Sequence, residues 1–302
     1  MKYGRFGTSR FWQATPRLAA QIAEMLSMTM PSPINVPREN ARRRSPLRWL
    51  ARLTVALGLS LLVSGGSATA AAPVHSVHNI VLVHGAFADG SSWSPVIERL
   101  TAMGYHVTAV QNPMTSLSDD VLATERVLRR QHGNVLLVGH SWAGAVITQA
   151  GNASHVKGLV YLSALVPDSG ESAADLLERL KAPMTGLAPD ADGLVWLDDP
   201  AQFHHVMAAD LSAKKARLLT AVQQPIAAAC FAGKVEHAAW HDKPSWYLLT
   251  TDDHALAPPV QQAIAHQIGA TTVSVRSSHL SLVSHPDVVA RLIDRAARES
   301  GR

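Results

Sequence analysis

The apolar residues of this chain fall into short runs, and most runs are followed by a stretch with helical spacing. Asn79-Ile80-Val81-Leu82-Val83-His84 reads as a buried strand, followed by a Gly-containing loop and a helix over about 92–103. A strand at 105–110 and a helix at 117–130 come next, then a strand at 135–138 and a helix reaching about 150. Another strand follows at 158–162, and 245–250, 258–268 and 271–275 repeat the strand–helix–strand order. This alternation predicts an α/β fold, a mainly parallel sheet of about six strands flanked by helices. The last helix is expected to start at an N-cap Ser284, with Pro286 near its start and Asp287 three residues on, as a capping box requires.

Between the strands ending near Ala164 and beginning at Ser245 the strand signal stops. The segment is rich in Ala and Leu and is broken at Pro183, Pro189, Pro200 and Pro225. A structureless loop far beyond about 15 residues is improbable in a folded domain. An inserted helical cap over the sheet's carboxyl ends, at about 167–242, is expected instead.

The first 70 residues read as an export leader rather than as fold, leaving 71–302 as the folded domain. A basic stretch at 42–52 precedes a short apolar run at 53–63, and Ala68-Thr69-Ala70 matches a cleavage site before Ala71. That run is shorter than the ~20 residues needed to span a bilayer, so no stable membrane insertion is expected after cleavage. Arg43-Arg44-Ser45-Pro46-Leu47-Arg48 resembles a twin-arginine signal, with Pro where an aromatic is usual. The leader is long for a signal of ~15–30 residues, so Met28 or Met30 is a candidate start. The expected destination is periplasmic or secreted.

Charge sharpens this division. Ten of the 27 Lys and Arg residues lie in 1–70 against two of the 23 acids, so 71–302 carries a net −4 although the whole chain is +4. The basic balance belongs to the leader, and the folded part gives no argument for nucleic-acid binding. Cys230 is the sole cysteine, which excludes an intrachain disulfide and reads as a free core thiol.

The chemistry starts at Val138-Gly139-His140-Ser141-Trp142-Ala143-Gly144. A serine between small residues, after a buried strand and before a helix, is the pattern of a nucleophile elbow. Gly139 and Ala143 supply the small neighbours that the tight turn needs. A serine hydroxyl needs a base to take its proton, and on such folds the partners follow in the order Ser, acid, His. His279 and Asp253 each lie just past a predicted strand's carboxyl end, where parallel sheets place their sites. Asp252 and Asp168 stay open as alternative acids. Backbone N–H groups of Trp142 and of Ala86, in the loop His84-Gly85-Ala86-Phe87, are the expected oxyanion donors, with Phe87 at the substrate.

Other residues read more plainly. His140 is expected to pack rather than to act as a second base, and the His204-His205 pair has no acid or Cys at ligand spacing. Trp93, Trp142, Trp196, Trp240 and Trp246 are candidates for an apolar pocket, packing being their ordinary role. Chance accounts for the glycosylation triplet Asn152-Ala153-Ser154.

With these residues in view, the chain resembles the α/β-hydrolase superfamily, and within it the small-esterase and hydroxynitrile-lyase-like branch. The resemblance spans about 79–297. It rests on V-L-V-H-G-A-F-A-D-G-S-S-W at 81–93, V-G-H-S-W-A-G at 138–144, T-D-D-H-A-L-A-P at 251–258 and S-S-H-L-S-L-V-S-H-P at 277–286. It implies Asp253 rather than Asp252 as the acid. Lyases of the branch carry a Lys directly after the catalytic His and a Thr where Gly85 stands. Leu280 follows His279 here, so ester hydrolysis is favoured over cyanohydrin cleavage. Dehalogenases of the superfamily use an Asp nucleophile, which Ser141 argues against.

The expectation is a serine carboxylesterase for small to medium apolar esters, using no metal or organic cofactor. Its partner is a small-molecule ester, and the sequence does not address oligomeric state. Lactone, thioester or carbon–carbon bond hydrolysis is an alternative, as is a ligand-binding receptor without catalysis.

Overall fold

The computed structural model describes residues 77–182 and 186–300, so the leader read at 1–70 lies outside the described residues. In chain order the elements begin β1 (Asn79–Val83), α1 (Ser94–Ala102), β2 (His106–Val110), α2 (Leu117–Leu128), β3 (Val135–His140), α3 (Ala143–Ala150) and β4 (Val156–Leu162). An insertion then holds α4 (Ala173–Arg179), β5 (Leu194–Val195), α5 (Pro200–Met207), α6 (Ala213–Ala221), β6 (Ile226–Ala227) and α7 (Ala229–Ala232). The chain closes with β7 (Ser245–Thr250), α8 (Pro258–Gln267), β8 (Thr271–Val275), α9 (Ser281–Ser284) and α10 (Pro286–Glu299).

Six strands form one sheet in the order β2-β1-β3-β4-β7-β8, and every neighbouring pair is parallel. The central strands β1, β3 and β7 are buried at every residue, as continuous apolar runs covered on both faces must be. The edge strands β2 and β8 mix Thr and Ser with Val and are partly exposed. Helices α1 and α10 pack together in one layer, and α2 packs with α3 in the other. Along α10 the buried positions Val289, Ala290, Leu292, Ile293, Ala296 and Ala297 recur at helical spacing, so one face carries the core contact.

The strand order reverses at β1. The chain steps from β1 to β2 on one side and returns to β3 on the other. Crossovers that leave in opposite directions open a crevice at the strands' carboxyl ends, where open α/β sheets bind ligands. His84-Gly85-Ala86-Phe87 leaves β1 at that crevice, and Ser141 leaves β3 beside it.

Two local expectations need correction. The insertion is not free of strands: Leu194 pairs with Ala227 and Val195 with Ile226, antiparallel. Two residues per strand are too few to show an alternation. The N-cap of α10 is His285, not Ser284. Pro286 disfavours helical backbone at the residue before it, and His285 sits at φ −128°, ψ 48°. Ser284 therefore ends the separate helix α9 and its hydroxyl turns to Ser277 Oγ at 3.0 Å, while Asp287 pairs with Arg99. Among the described residues no helix is long and apolar enough to cross a membrane.

Candidate active site

Ser141 sits between the last residue of β3 and the start of α3, at φ +55°. A non-Gly residue in that region is strained, by about 1–3 kcal/mol, and persists only where surrounding bonds over-determine it. Here the Ser141 N–H donates to Leu162 O at 3.0 Å, and its carbonyl accepts from Gly144 N and Leu165 N at 3.0 and 3.1 Å. The turn also needs a bare backbone before it, since a Cβ on Gly139 would stand 2.7 Å from Ala143 O.

His279 follows β8, and its ring Nδ1–H donates to Asp253 Oδ2 at 2.7 Å. Both side chains are at most 2 % exposed. Asp253 follows β7 and is held by four further donors. Its Oδ1 accepts from Ala255 N and Leu256 N at 2.8 Å, and its Oδ2 from Thr250 Oγ1 at 2.7 Å and Gln261 Nε2 at 3.0 Å. Burial works to raise this carboxyl's pKa. The His279 charge and the hydrogen bonds from His279, Leu256 and Thr250 outweigh it and hold Asp253 below the usual carboxylate range. Asp252, its neighbour, faces outward to Arg276 at 2.9 Å, and Asp168 pairs with His241 at 2.7 Å. Of the three candidate acids, Asp253 alone meets His279.

Nδ1 is engaged by Asp253, so Nε2 is the ring nitrogen left for the space beside Ser141. His279 and Ser141 line one cavity of about 330 Å³, and Ala86, Phe87 and Trp142 line it too. The structure thus brings every residue expected at the site to one place. The rest of the wall is mainly apolar, with Leu165, Leu177, Leu187, Leu197, Val206, Met207, Phe231 and Leu256. Gln202 and His254 add polarity, and among the described residues no Lys, Arg, Asp or Glu lines it.

Several supporting residues were not legible in the sequence. The buried His140 donates from Nε2 to the His279 carbonyl at 3.0 Å, and its ring lies 4.7 Å from the His279 ring. Burial, reinforced by the nearby His279 charge, pushes its pKa down to about 3, so it stays neutral and holds the base by its backbone. His84, also buried, accepts from Asn112 N at 3.1 Å and bonds Gly85 O at 3.0 Å, which pins the loop carrying Ala86. Burial lowers its pKa as well. The Trp142 indole N–H donates to Asp120 Oδ2 at 2.8 Å, and its ring packs on Phe231 at 5.2 Å. Apart from the bond of His84 to its neighbour Gly85, none of these contacts had a local signal, because the partners lie in distant elements.

Of the five tryptophans considered for the pocket, only Trp142 lines the cavity. Trp93 and Trp246 are buried, while Trp196 is exposed and bonded to Asp190. His204 bonds Leu211 O at 2.9 Å, and the His205 ring lies 4.5 Å from that of His254. No cluster suited to a metal ion occurs among the described residues. Cys230 is buried, its thiol pushed up to about 12 chiefly by burial.

The model of the alpha/beta hydrolase family matches residues 80–292. The alpha/beta hydrolase nvfD of Aspergillus novofumigatus is 29% identical over 245 residues, 73% of this chain and 97% of that protein. A carbendazim hydrolyzing esterase of a Nocardioides species is 33% identical over 119 residues, covering 35% of this chain and 49% of the esterase. Among solved structures, polyneuridine aldehyde esterase superimposes with a TM-score of 0.64 at 19% identity, over 72% of this chain and 98% of its own.

Proposed function

Because the chain belongs to the alpha/beta hydrolase family, as a hydrolase of that family, we propose that it is a serine carboxylesterase for small to medium apolar esters. One observation carries the reading: a strained serine and a buried His–Asp pair open onto the same mainly apolar cavity. Among the described residues the wall carries no Lys, Arg, Asp or Glu, which favours neutral acyl and alcohol groups over substrates that bear a carboxylate or phosphate. That one relative is itself named an esterase supports the same class.

In the proposed cycle Ser141 Oγ attacks the ester's acyl carbon while His279 Nε2 takes the hydroxyl proton. Asp253 fixes the tautomer and stabilises the imidazolium that results. The C–O bond to the alcohol breaks and His279 returns the proton to the leaving oxygen. Water, deprotonated by His279, then attacks the acyl carbon; the bond to Ser141 Oγ breaks, His279 returns the proton to that oxygen, and the carboxylic acid is released. The Ala86 and Trp142 N–H groups are assigned to the oxyanion in both steps, where losing one donor typically costs about 2.7–4 kcal/mol. No cofactor enters the scheme.

A fluorophosphonate probe should label the wild-type protein stoichiometrically. Ser141→Ala should abolish labelling and lower p-nitrophenyl-ester turnover by a factor on the order of 10⁶. Full turnover in that variant would sink the proposal, and absence of wild-type labelling would favour a receptor. The leader pattern supports export of the mature chain from Ala71. N-terminal sequencing of the exported protein tests it, and a mature start upstream of residue 71 would count against it.

A further inference from the structure

The insertion does more than wall the cavity. At the carboxyl end of α5 the last carbonyls, which a helix cannot satisfy itself, are taken by the two loops that carry Asp253 and His279. His205 O accepts from His254 Nδ1 at 2.9 Å, and Met207 O accepts from Leu280 N at 3.0 Å. Three residues past α5, Asp210 reaches the two buried serines just before His279. Its Oδ2 accepts from Ser277 Oγ at 3.0 Å and Ser278 N at 3.2 Å, and its Oδ1 bonds the Ser278 hydroxyl. His285 Nε2 stands 3.4 Å from the same carboxylate.

His279 is therefore held from three directions. Asp253 takes its ring, and His140 takes its carbonyl, both from the carboxyl ends of sheet strands. The third hold comes from the insertion, through Ser277 and Ser278. We propose that Asp210 is a positioning residue for the catalytic base, setting the His279 loop from the insertion. The inference rests on the esterase reading of the site. The helix that ends at this hold also lines the cavity with Gln202, Val206 and Met207. A substrate that presses on α5 thus bears on the same support as His279.

The test compares Asp210→Ala, Asp210→Asn and Ser278→Ala with wild type. It reads kcat and KM on a short-chain p-nitrophenyl ester, the rate of fluorophosphonate labelling, Tm, and the low-field NMR proton on His279 Nδ1. A displaced base should lower kcat and labelling in Asp210→Ala by about 10–100-fold, with KM within about twofold. Its Nδ1 proton should broaden or shift. Asp210→Asn and Ser278→Ala should fall in between and resemble each other, because an amide keeps an acceptor oxygen on only one side. Should Asp210→Ala fail to fold, Ser278→Ala still removes one link alone. Unchanged kcat and an unmoved Nδ1 proton in folded variants would overturn the proposal, as would a rise in KM alone. The NMR proton needs no turnover, so a wild type that neither labels nor hydrolyses esters would sink the esterase reading and leave this readout to decide the positioning role.

Discussion

A Cβ placed on Gly85 would stand 2.8 Å from the Ser141 Cβ and 2.8 Å from the His140 carbonyl oxygen. Real Cβ atoms do not approach backbone that closely, so any side chain at Gly85 must displace the elbow. The threonine that the resemblance implies for lyases of the branch would meet this same clash. We expect Gly85→Ala to lose about 1–3 kcal/mol of stability and most fluorophosphonate reactivity, read by urea unfolding and labelling rate. Wild-type labelling in that variant would show the elbow to be free to shift. At this scale the sequence was informative because the elbow's demands are local: Gly139, Ser141 and Ala143 are neighbours in the chain. Phe87, at φ +57°, gave no such sign, since nothing in its residue type announces left-handed backbone.

Between elements, the contacts that position the site come from side chains far apart in sequence. Asp120 on α2 is fully buried and accepts from both the Trp142 indole and Met114 N, each at 2.8 Å. Burial raises its pKa against those two bonds. One carboxylate so joins α2, the start of α3 and the loop after β2. An amide at this position must turn its NH₂ toward one of the two donors. Asp120→Asn should therefore destabilise by about 1–3 kcal/mol, measured by urea unfolding, and raise KM as the Trp142 wall loosens. Equal stability would mean that a donor finds another acceptor. The strands could be read because a run of apolar or β-branched residues needs no partner to be recognised, as at the Thr- and Val-containing edge strand β8. The pairing of β5 with β6 and the reach of Asp210 could not, being set by tertiary packing alone.

For the whole molecule, acid should act on stability through the same buried groups. His140 has a folded pKa of about 3 against an ordinary value near 6.5, so between these limits the unfolded chain binds a proton that the native one does not. Stability thus falls as pH drops below about 6.5, the unfolded state gaining the proton first. His84, also lowered by burial, works in the same direction. Asp253 is depressed, so its contribution is complete above the usual carboxylate range and is lost only as pH falls through its lower folded value. Urea midpoints measured from pH 7 to pH 4 should decline steadily. His140→Gln should flatten that decline, and an unaltered slope would remove His140 from the account.

The uncharged cavity wall has one more consequence on the proposed reaction. Hydrolysis turns a neutral ester into an acid that ionises near neutral pH, and among the described residues no Lys or Arg lines the space to pair with that anion. The buried Asp253 carboxylate stands behind His279 with the same sign of charge. A carboxylate stranded in such surroundings gains far more from water than from the wall. On the proposed reaction, then, ionisation of the acid favours its departure into water, and the change of charge on the product clears the site.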